Sequence, residues 1–173
     1  MSAAADLHPN IAYEIPRLRR YARALVRNQE TADDLVQDTL VRALSKLHLW
    51  QPGTDLRAWL FTLMHNQYVN FVRRAVREGT QTPLESAVNL GHQASQTTFL
   101  TLRDLQNALE RLPDEQRTVV LLIGLEGMRY EEVAEILNVP VGTIRSRLSR
   151  AREALREMMD ENERRPMDGR SRR

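Results

Sequence analysis

The chain has 173 residues and a formal net charge of +2, with 25 basic and 23 acidic side chains, which is enough for one or two small domains. Cysteine is absent, so disulfides and thiolate metal sites are excluded, and a reducing cytoplasm is the expected location. No apolar run reaches the roughly 18 residues of a membrane span, and the first ten residues lack the pattern of a signal peptide.

The basic side chains are 24 arginines and a single lysine, Lys46. They crowd into segments 17–27, 73–77 and 145–173, whereas acidic side chains crowd into 30–38 and 104–135. Guanidinium groups match phosphate geometry. The segregation therefore indicates an anionic partner on some faces and a different partner on others.

The first two predicted helices cover residues 11–26 and 32–47. The first has a stripe of apolar side chains, and Thr31 is the predicted N-cap of the second. The second helix has an opposite arc formed by Asp34, Gln37, Asp38 and Val41, and its predicted buried side is Val36, Leu40, Ala43, Leu44 and Leu47. Acidic residues near a helix start also complement the helix dipole, so this arc has either a local or a partner-binding role.

A third helix is predicted after the Pro52-Gly53 turn, capped by Thr54 or Asp55 and continuing to Arg77. Its later part has a polar stripe with interleaved aromatics. The stripe is Asn66, Asn70, Arg73 and Arg77, and the aromatics are Tyr68 and Phe71. Such a pattern is typical of single-stranded nucleic acid binding, although aromatic residues at these positions also suit a core.

Residues 79–98 lose apolar periodicity and predict a flexible linker. A helix over 99–111 follows, and its predicted buried stripe is Leu102, Leu105, Ala108, Leu109 and Leu112. The next helix restarts at Pro113 and is ended by Gly124 and Gly127.

Two further helices, 130–137 and 141–156, are separated by Asn138-Val139-Pro140 and predict a helix-turn-helix. The second has a core stripe of Ile144, Leu148, Ala151 and Leu155. On the opposite arc lie Arg145, Ser146, Ser149 and Arg150, flanked by Arg147, Arg152 and Arg156. Arginine and serine on one helix face suit a reader of the DNA major groove, and the alternative is a solvated basic helix.

No catalytic constellation is visible. The four histidines, at positions 8, 48, 65 and 92, lack metal-ligand spacing, and no glycine-rich phosphate loop or nucleophile motif occurs. We therefore expect no enzymatic activity, no catalytic residue, no metal and no cofactor.

Four segments together resemble the bacterial extracytoplasmic-function (ECF, group 4) sigma factors of the sigma-70 family. Residues 32–39 resemble the segment that binds the clamp helices of RNA polymerase, and residues 56–74 resemble the minus-10 region. Residues 109–117 and 142–152 resemble region 4, which reads the minus-35 element. The four segments occur in family order and cover almost the whole chain.

The resemblance implies an all-α fold of two small helical domains joined by a flexible linker. The expected domains are sigma region 2 over 8–78, the linker over 79–98, helix-turn-helix region 4 over 99–160 and a basic flexible tail over 161–173. The implied partners are core RNA polymerase, through its clamp helices and flap, promoter DNA and an anti-sigma factor. The implied function is promoter-specific transcription initiation, in the family typical of stress responses.

The resemblance, carried over position by position, and the predicted helix faces together imply three sets of functional residues. The expected polymerase-binding residues are Asp34, Gln37, Asp38 and Val41. The expected minus-10 residues are Asn66, Asn70, Arg73, Arg74 and Arg77. The expected minus-35 residues are Thr143, Arg145, Ser146, Arg147, Ser149, Arg150 and Arg152, with Arg147 and Arg152 mainly on phosphates.

The chain departs from the family pattern at two places. The linker has Glu85 as its single acid, and Arg129 stands where Ser or Thr commonly precedes the helix-turn-helix, so that helix is expected to lack a side-chain cap. Two other functions are compatible with parts of the sequence: a stand-alone helix-turn-helix regulator, and a sigma-like decoy that sequesters a regulator. The polar faces of the N-terminal half argue against the first, and the absence of a βα-alternating segment argues against the second.

Overall fold

A computed structural model describes the backbone of residues 3–79 and 96–164 and the side chains of residues 11–79 and 102–161. Every regular element in the described part of the chain is helical, which confirms the all-α prediction. The helices are α1 (Ala3–Val26), α2 (Gln29–Ser45), α3 (Leu56–Arg77), α4 (Gln96–Arg111), α5 (Asp114–Val120), α6 (Tyr130–Leu137) and α7 (Val141–Arg164). A 3₁₀ turn (Leu47–Leu49) follows α2, and a π-helical turn (Leu121–Leu125) continues α5.

Helix α1 begins earlier than the predicted residue 11, and Pro16 lies inside it. Proline removes one backbone hydrogen bond from a helix interior. The helix nevertheless continues, with its C-terminal half fixed by an apolar stripe that is almost inaccessible to solvent. The stripe is Leu18, Tyr21, Ala22 and Leu25.

The N-cap of α2 is Asn28 and not Thr31, which corrects the sequence prediction. The Asn28 side chain accepts hydrogen bonds from the Thr31 backbone N–H at 2.9 Å and from the Thr31 hydroxyl at 3.3 Å. Arg27, just before the cap, has a φ of 58°, in the left-handed region that a non-glycine residue rarely adopts. The sharp turn lets α2 fold back along α1. Helix α2 therefore begins at Gln29, three residues before the predicted start.

The face of α2 that is buried also differs in part from the prediction. Val36 and Ala43 are buried as expected, but Leu44 is 47% exposed. Leu35 and Thr39 are buried instead, and the Thr39 hydroxyl donates to the Leu35 carbonyl at 2.7 Å. The apolar side is therefore rotated toward Leu35.

Helix α3 starts as predicted, with the Asp55 side chain accepting from the Ala58 backbone N–H at 3.2 Å. Leu60, Phe61, Leu63 and Met64 form its buried side. Tyr68 is buried and Phe71 is half-buried, so the core interpretation holds for Tyr68. Trp50 and Trp59 are half-buried, and Trp59 packs against the core cluster.

Helix α4 begins at Gln96, three residues before the predicted start. Residues 80–95 of the predicted linker and 165–173 of the predicted tail lie outside the described residues. The predicted buried stripe of α4 is only partly covered, because Leu102 and Leu105 are 48% and 38% exposed. Helix α4 packs on α7, and Ala108 near its C-terminus is buried, as is Leu112 just beyond its last residue.

The helix-turn-helix has its turn at the predicted residues, although α7 continues to Arg164 instead of ending near residue 156. Asn138 closes α6 in the left-handed conformation, with φ 52° and ψ 50°, which asparagine tolerates well. The sequence predicted that α6 lacks a side-chain cap because Arg129 precedes it. Arg129 indeed makes no side-chain cap hydrogen bond to the free N–H groups at the start of α6. The Glu132 carboxylate instead accepts from the Arg129 backbone N–H at 2.7 Å.

The two groups of helices, α1–α3 and α4–α7, share one hydrophobic cluster. Helix α3 packs against α6, and α1 packs against the π-helical turn. Phe61 and Met64 from the first group and Leu122 and Val133 from the second are fully buried members of this cluster. The described part of the chain is therefore closed into one packed body, an arrangement that the sequence did not predict.

Phe61→Ala should lower the free energy of unfolding by about 3–5 kcal/mol, because it empties a fully buried site. The substitution also removes an edge-to-face contact with the Tyr21 ring, whose centroid lies 5.3 Å away. Chemical denaturation followed by circular dichroism measures the loss. Val76→Ala on the same helix, at a side chain that is 76% exposed, is the control, and a loss no larger than that of the control would contradict the described core.

Candidate functional site

The polar arc of α2 faces solvent. Asp34, Gln37, Asp38 and Val41 are all exposed, and Val41 is 66% exposed. The arc thus presents two carboxylates, an amide and an apolar side chain together on one accessible face of α2. The arc therefore has the mixed character of a protein-binding surface.

The polar stripe of α3 is also accessible. Asn66, Asn70, Arg73, Arg74 and Arg77 are exposed, and the Arg74 guanidinium donates to the Glu78 carboxylate at 2.8 Å. This hydrogen bond raises the pKa of Arg74. The stripe presents amide groups that suit base edges and guanidinium groups that suit phosphates.

A groove of about 330 Å³ joins the two surfaces. Asp34 and Asp38 of α2 line one side, and Asn70 and Arg74 of α3 line the other. The remaining lining residues are Val26, Thr31, Leu35, Gln67 and Phe71. Sequence periodicity assigned Asp34 and Asn70 to separate faces, because it does not tell how neighbouring helices are oriented. We name this cleft the α2–α3 groove.

Helix α7 presents the predicted reader residues. Arg145, Ser146, Ser149 and Arg150 are exposed, opposite the buried Ile144, Leu148 and Ala151. Arg152 is exposed as well, and Thr143 is half-buried. The Ser146 hydroxyl donates to the Thr143 carbonyl at 3.0 Å, which leaves its oxygen free to accept from a ligand.

Arg147 differs from its neighbours because its guanidinium lies only 2.7 Å from the Glu115 carboxylate of α5. Its side chain is 20% exposed, whereas that of Glu115 is 71% exposed. Arg147 is therefore held at the edge of the reader surface by a carboxylate that is itself accessible. The sequence placed Arg147 near this edge but gave no sign of Glu115 as its partner.

A second groove, of about 370 Å³, follows the other edge of α7. Arg145, Ser149, Arg152 and Arg156 line it at helical spacing, with Tyr130 at the start of α6. Three guanidinium groups on one side of a groove form a strongly cationic surface, tempered by Glu153. Tyr130 was missed by sequence reasoning, and its position directly before the helix-turn-helix core was the available signal.

The junction between the two helix groups contains a carboxylate that is completely shielded from solvent. The Glu126 side chain has no solvent exposure, and Arg20 of α1 binds it in a bidentate manner, Nε–Oε1 at 3.0 Å and Nη2–Oε2 at 2.9 Å. The hydrogen bond to Glu126 raises the pKa of Arg20. Arg57 of α3 adds a contact from Nη1 to the Glu126 backbone carbonyl at 3.4 Å.

Further polar contacts cross the same junction. Arg117 of α5 is 4% exposed and donates to the Tyr68 hydroxyl at 3.2 Å while pairing with Asp114. Burial raises the pKa of Tyr68, so its phenol stays protonated. Arg27 lies 3.0 Å from Glu110 of α4, and burial, with a smaller effect of the nearby Arg117 charge, lowers the pKa of Arg27.

His65 of α3 lies at this junction too. Its Nδ1 is buried and makes no hydrogen bond with the described residues. Burial, and secondarily the positive charge of Arg147, lower the pKa of His65 below its usual value of 6.5. Packing of the two helix groups therefore disfavours the protonated form of His65.

The described residues contain no cluster of three or more histidine, cysteine or acidic side chains arranged to hold a metal ion. Among them there is also no helix that is long and apolar enough to cross a membrane. What the fold does present is a helix-turn-helix beside a second helical unit with its own asparagine and arginine stripe. These features define a two-part nucleic-acid-binding protein of the helix-turn-helix class.

Comparisons with known proteins specify the class. Residues 11–65 match the family model described as the Sigma2 domain of PhyR, and residues 102–155 match that of sigma-70 region 4. The ECF RNA polymerase sigma factor EcfG of Rhodopseudomonas palustris (strain TIE-1) is 40% identical over 155 residues, covering 90% of this chain and 86% of the relative. The chain belongs to the ECF RNA polymerase sigma factors of the sigma-70 family, which are transcription initiation factors.

A second relative and a solved structure agree with this assignment. The ECF sigma factor SigE of Mycolicibacterium smegmatis (strain ATCC 700084 / mc(2)155) is 36% identical over 148 residues, which are 83% of this chain and 57% of the relative. The sigma factor RpoE of Bartonella quintana, crystallised with the anti-sigma factor NepR, superposes with a TM-score of 0.76 at 35% identity. That comparison covers 90% of this chain and 97% of the RpoE chain.

Acidification should destabilise the packed body through His65. Because the pKa of His65 is lowered on folding, the unfolded chain binds the proton more readily than the folded chain. His65 therefore does not reduce the free energy of unfolding well above pH 6.5, and reduces it increasingly as the pH falls below that value. The slope contributed by one proton is at most about 1.4 kcal/mol per pH unit. His65→Gln should remove this contribution, and His48→Gln, at an exposed histidine, is the control.

The free energy of unfolding of wild type, His65→Gln and His48→Gln is measured at about ten pH values between about 5 and 8. A wild-type slope that His65→Gln leaves unchanged would show that His65 stays solvated or finds a partner when protonated.

Proposed function

We propose that this chain binds core RNA polymerase and directs it to promoters with a minus-10 and a minus-35 element. The observation that carries the proposal is the combination of three accessible surfaces on one body. The α2 arc suits a protein partner, and the α3 stripe and α7 reader face suit nucleic acid. A stand-alone helix-turn-helix regulator would need the α7 face alone.

The proposed domains are region 2 over 8–78, the linker over 79–98, region 4 over 99–160 and the tail over 161–173. The segments that match the two family models, 11–65 and 102–155, support the two helical domains. We further place the chain in group 4 of the sigma-70 family and in the cytoplasm, where polymerase and chromosome are. It acts as a binding protein and not as an enzyme. A relative in a solved structure supports control by an anti-sigma factor, because RpoE of Bartonella quintana was crystallised with the anti-sigma factor NepR.

Asp34, Gln37, Asp38 and Val41 are the proposed polymerase-docking residues, and the clamp helices are their proposed partner. Two carboxylates and an amide on one turn of exposed helix offer acceptors to cationic side chains, and Val41 offers apolar contact. The flap is the proposed polymerase partner of region 4. This assignment rests on exposure and on the shared arc of α2.

In the minus-10 assignment, Asn66 and Asn70 contact base edges, and Arg73, Arg74 and Arg77 contact phosphates. Asparagine has both a donor and an acceptor, and guanidinium groups pair with phosphates or stack on bases. The exposure of all five side chains on α3 supports the assignment. The separated non-template strand is the proposed ligand, since unpaired bases expose their edges.

For the minus-35 element, we assign base reading to Arg145, Ser146, Ser149 and Arg150 and phosphate contacts to Arg147 and Arg152, with Thr143 at the start of the reader helix. The Arg147 guanidinium pairs with the Glu115 carboxylate in the described state. Arg147 therefore contacts a phosphate only if Glu115 releases the guanidinium or shares it with the phosphate. Glu115 therefore weakens phosphate binding at that edge.

Substituting Asp34, Gln37 and Asp38 together with alanine should weaken binding to core polymerase by at least about tenfold and reduce promoter-specific run-off transcripts to the same degree. Truncating one partner of a hydrogen-bonded charge pair at an interface typically costs about 2–5 kcal/mol. The control removes two exposed carboxylates elsewhere, through Glu157→Ala and Asp160→Ala on α7. Wild-type affinity of the triple variant in a competition assay would reject the docking surface.

If the wild-type chain binds duplex operator DNA tightly but never associates with core polymerase, the stand-alone regulator replaces the sigma factor. If the wild-type chain binds neither operator DNA nor core polymerase and captures only a regulatory protein, the sigma-like decoy replaces the sigma factor.

Arg150→Ala should relax base preference at one position of the minus-35 element, at a cost of about 1–3 kcal/mol for the preferred base. Arg147→Ala should weaken all sequences alike and lower the salt dependence by about one phosphate contact. Glu115→Ala should instead raise the affinity for all sequences, because it frees the Arg147 guanidinium. Affinities for a library of minus-35 variants at two salt concentrations separate these outcomes.

A change of base preference in Arg147→Ala, with uniform weakening in Arg150→Ala, would mean that α7 enters the groove with a different face.

A further inference from the structure

The first basic segment of the chain, residues 17–27, has no part in the three surfaces of the proposed function. It contains five arginines and no acidic side chain. The other two basic segments contribute to the α3 stripe and the α7 reader face, so this one still requires an explanation. The structure accounts for two of its five arginines, because they pair with carboxylates of the C-terminal half. These two are Arg20 and Arg27.

The other three arginines of this segment face solvent, and we name Arg17, Arg19 and Arg23 the α1 basic face. The side chains of Arg17 and Arg23 are 46% and 42% exposed, and Arg19 is exposed as well. Arg17 lies 3.7 Å from a Glu14 carboxylate oxygen and Arg23 lies 3.9 Å from one of Asp33, both beyond hydrogen-bond distance. Arg19 has no ion pair with any described residue. All three guanidinium groups therefore have donors available to a ligand.

The α1 basic face points in a direction that neither of the other N-terminal surfaces occupies. Helices α1, α2 and α3 each pack against the other two, so the outer faces of the three helices diverge. The polymerase-docking arc takes the outer face of α2, and the asparagine and arginine stripe takes that of α3. The ligand of the α1 basic face is therefore separate from the polymerase and DNA contacts already assigned.

The chemistry of this face suits phosphate groups more than base edges. Guanidinium groups match the geometry of phosphate oxygens, and Arg19 and Arg23 are four residues apart, about 6 Å along the helix axis. That distance is close to two nucleotide steps of about 3.4 Å along one DNA strand. Beside the arginines, the exposed positions from residue 11 onward are Ala12, Tyr13 and Pro16, so no amide or short hydroxyl is present to read bases. The phenol of Tyr13, which is 79% exposed, adds a neutral donor.

We propose that the α1 basic face binds the phosphodiester backbone of duplex DNA without regard to sequence. Each guanidinium that neutralises a phosphate releases condensed counterions, which raises the affinity in a manner that salt opposes. The face thus holds DNA next to the promoter elements, while α3 and α7 select those elements. The inference concerns DNA binding by the chain itself, and it does not depend on the proposed binding of polymerase.

The test variant has glutamine at all three positions of the α1 basic face. Glutamine removes the charge but has a helix propensity close to that of arginine, and far-UV circular dichroism checks that the helix content is retained. The matched control removes three exposed arginines of α2 and α4 that have no assigned role, so both variants lose the same net charge. The control substitutions are Arg42→Gln, Arg103→Gln and Arg111→Gln.

The readout is the affinity of the chain alone for a duplex without promoter elements, about 30 base pairs long, measured by fluorescence anisotropy from about 50 to 200 mM salt. The test variant should lose at least about tenfold in affinity at the lowest salt, and the slope of log affinity against log salt should fall by about 2–3. The control variant should change that slope by less than about one. A duplex with a minus-35 element should lose the same factor, so that the preference for it is unchanged.

Equal slope changes in the two triple variants would show that only the net charge matters and would overturn the proposal. Absence of duplex binding by wild type at the lowest salt would overturn it too. A test variant that keeps its duplex affinity but loses affinity for core polymerase would show that the face binds an acidic protein surface instead of DNA. Failure of wild type to bind polymerase would reject the sigma function, while the DNA measurement still decides the role of the α1 basic face.

Discussion

The placement of one carboxylate governs how the two halves of the described chain relate to each other. Glu126 has lost its water and lies between helices of both halves, so its negative charge has to be balanced from across the junction. Arg20 supplies the balance through two parallel hydrogen bonds, the geometry in which guanidinium and carboxylate groups bind best. The apolar cluster around Phe61, Leu122 and Val133 provides adhesion, but it is non-directional, and the ion pair selects the orientation.

The junction combines shielded and accessible groups. The Glu126 carboxylate is shielded from solvent, whereas Arg20 is accessible at its outer edge, where water and salt can approach it. Arg117, by contrast, is buried and shares its guanidinium between Tyr68 and Asp114. A body held in this manner is specific in orientation without being held by a large number of irreplaceable contacts.

The sequence predicted the turn of the helix-turn-helix to the residue because each of its signals is local: periodicity on α6 and α7, and the Asn138-Val139-Pro140 break. It placed Asp55 among the candidate caps for the same reason. It was wrong where a partner element decides the outcome. Asn28 caps α2 in place of Thr31 because α2 begins earlier, and Leu102 and Leu105 have the right spacing for burial but are only partly covered by the described residues. The pairing of Arg147 with Glu115 and of Arg20 with Glu126 joins residues far apart in sequence, and helix periodicity carries no information about such pairs.

The α2–α3 groove changes how genetic data on this protein would have to be interpreted. Asp38 and Asn70 belong to different assigned surfaces but border the same cleft. A substitution at either one alters the shape and the electrostatic potential of the space that the other faces. A transcription defect in a single variant at Asn70 is therefore ambiguous between lost promoter contact and disturbed polymerase attachment. Non-additivity between Asp38 and Asn70 in a double-mutant cycle would measure how far the two surfaces behave as one.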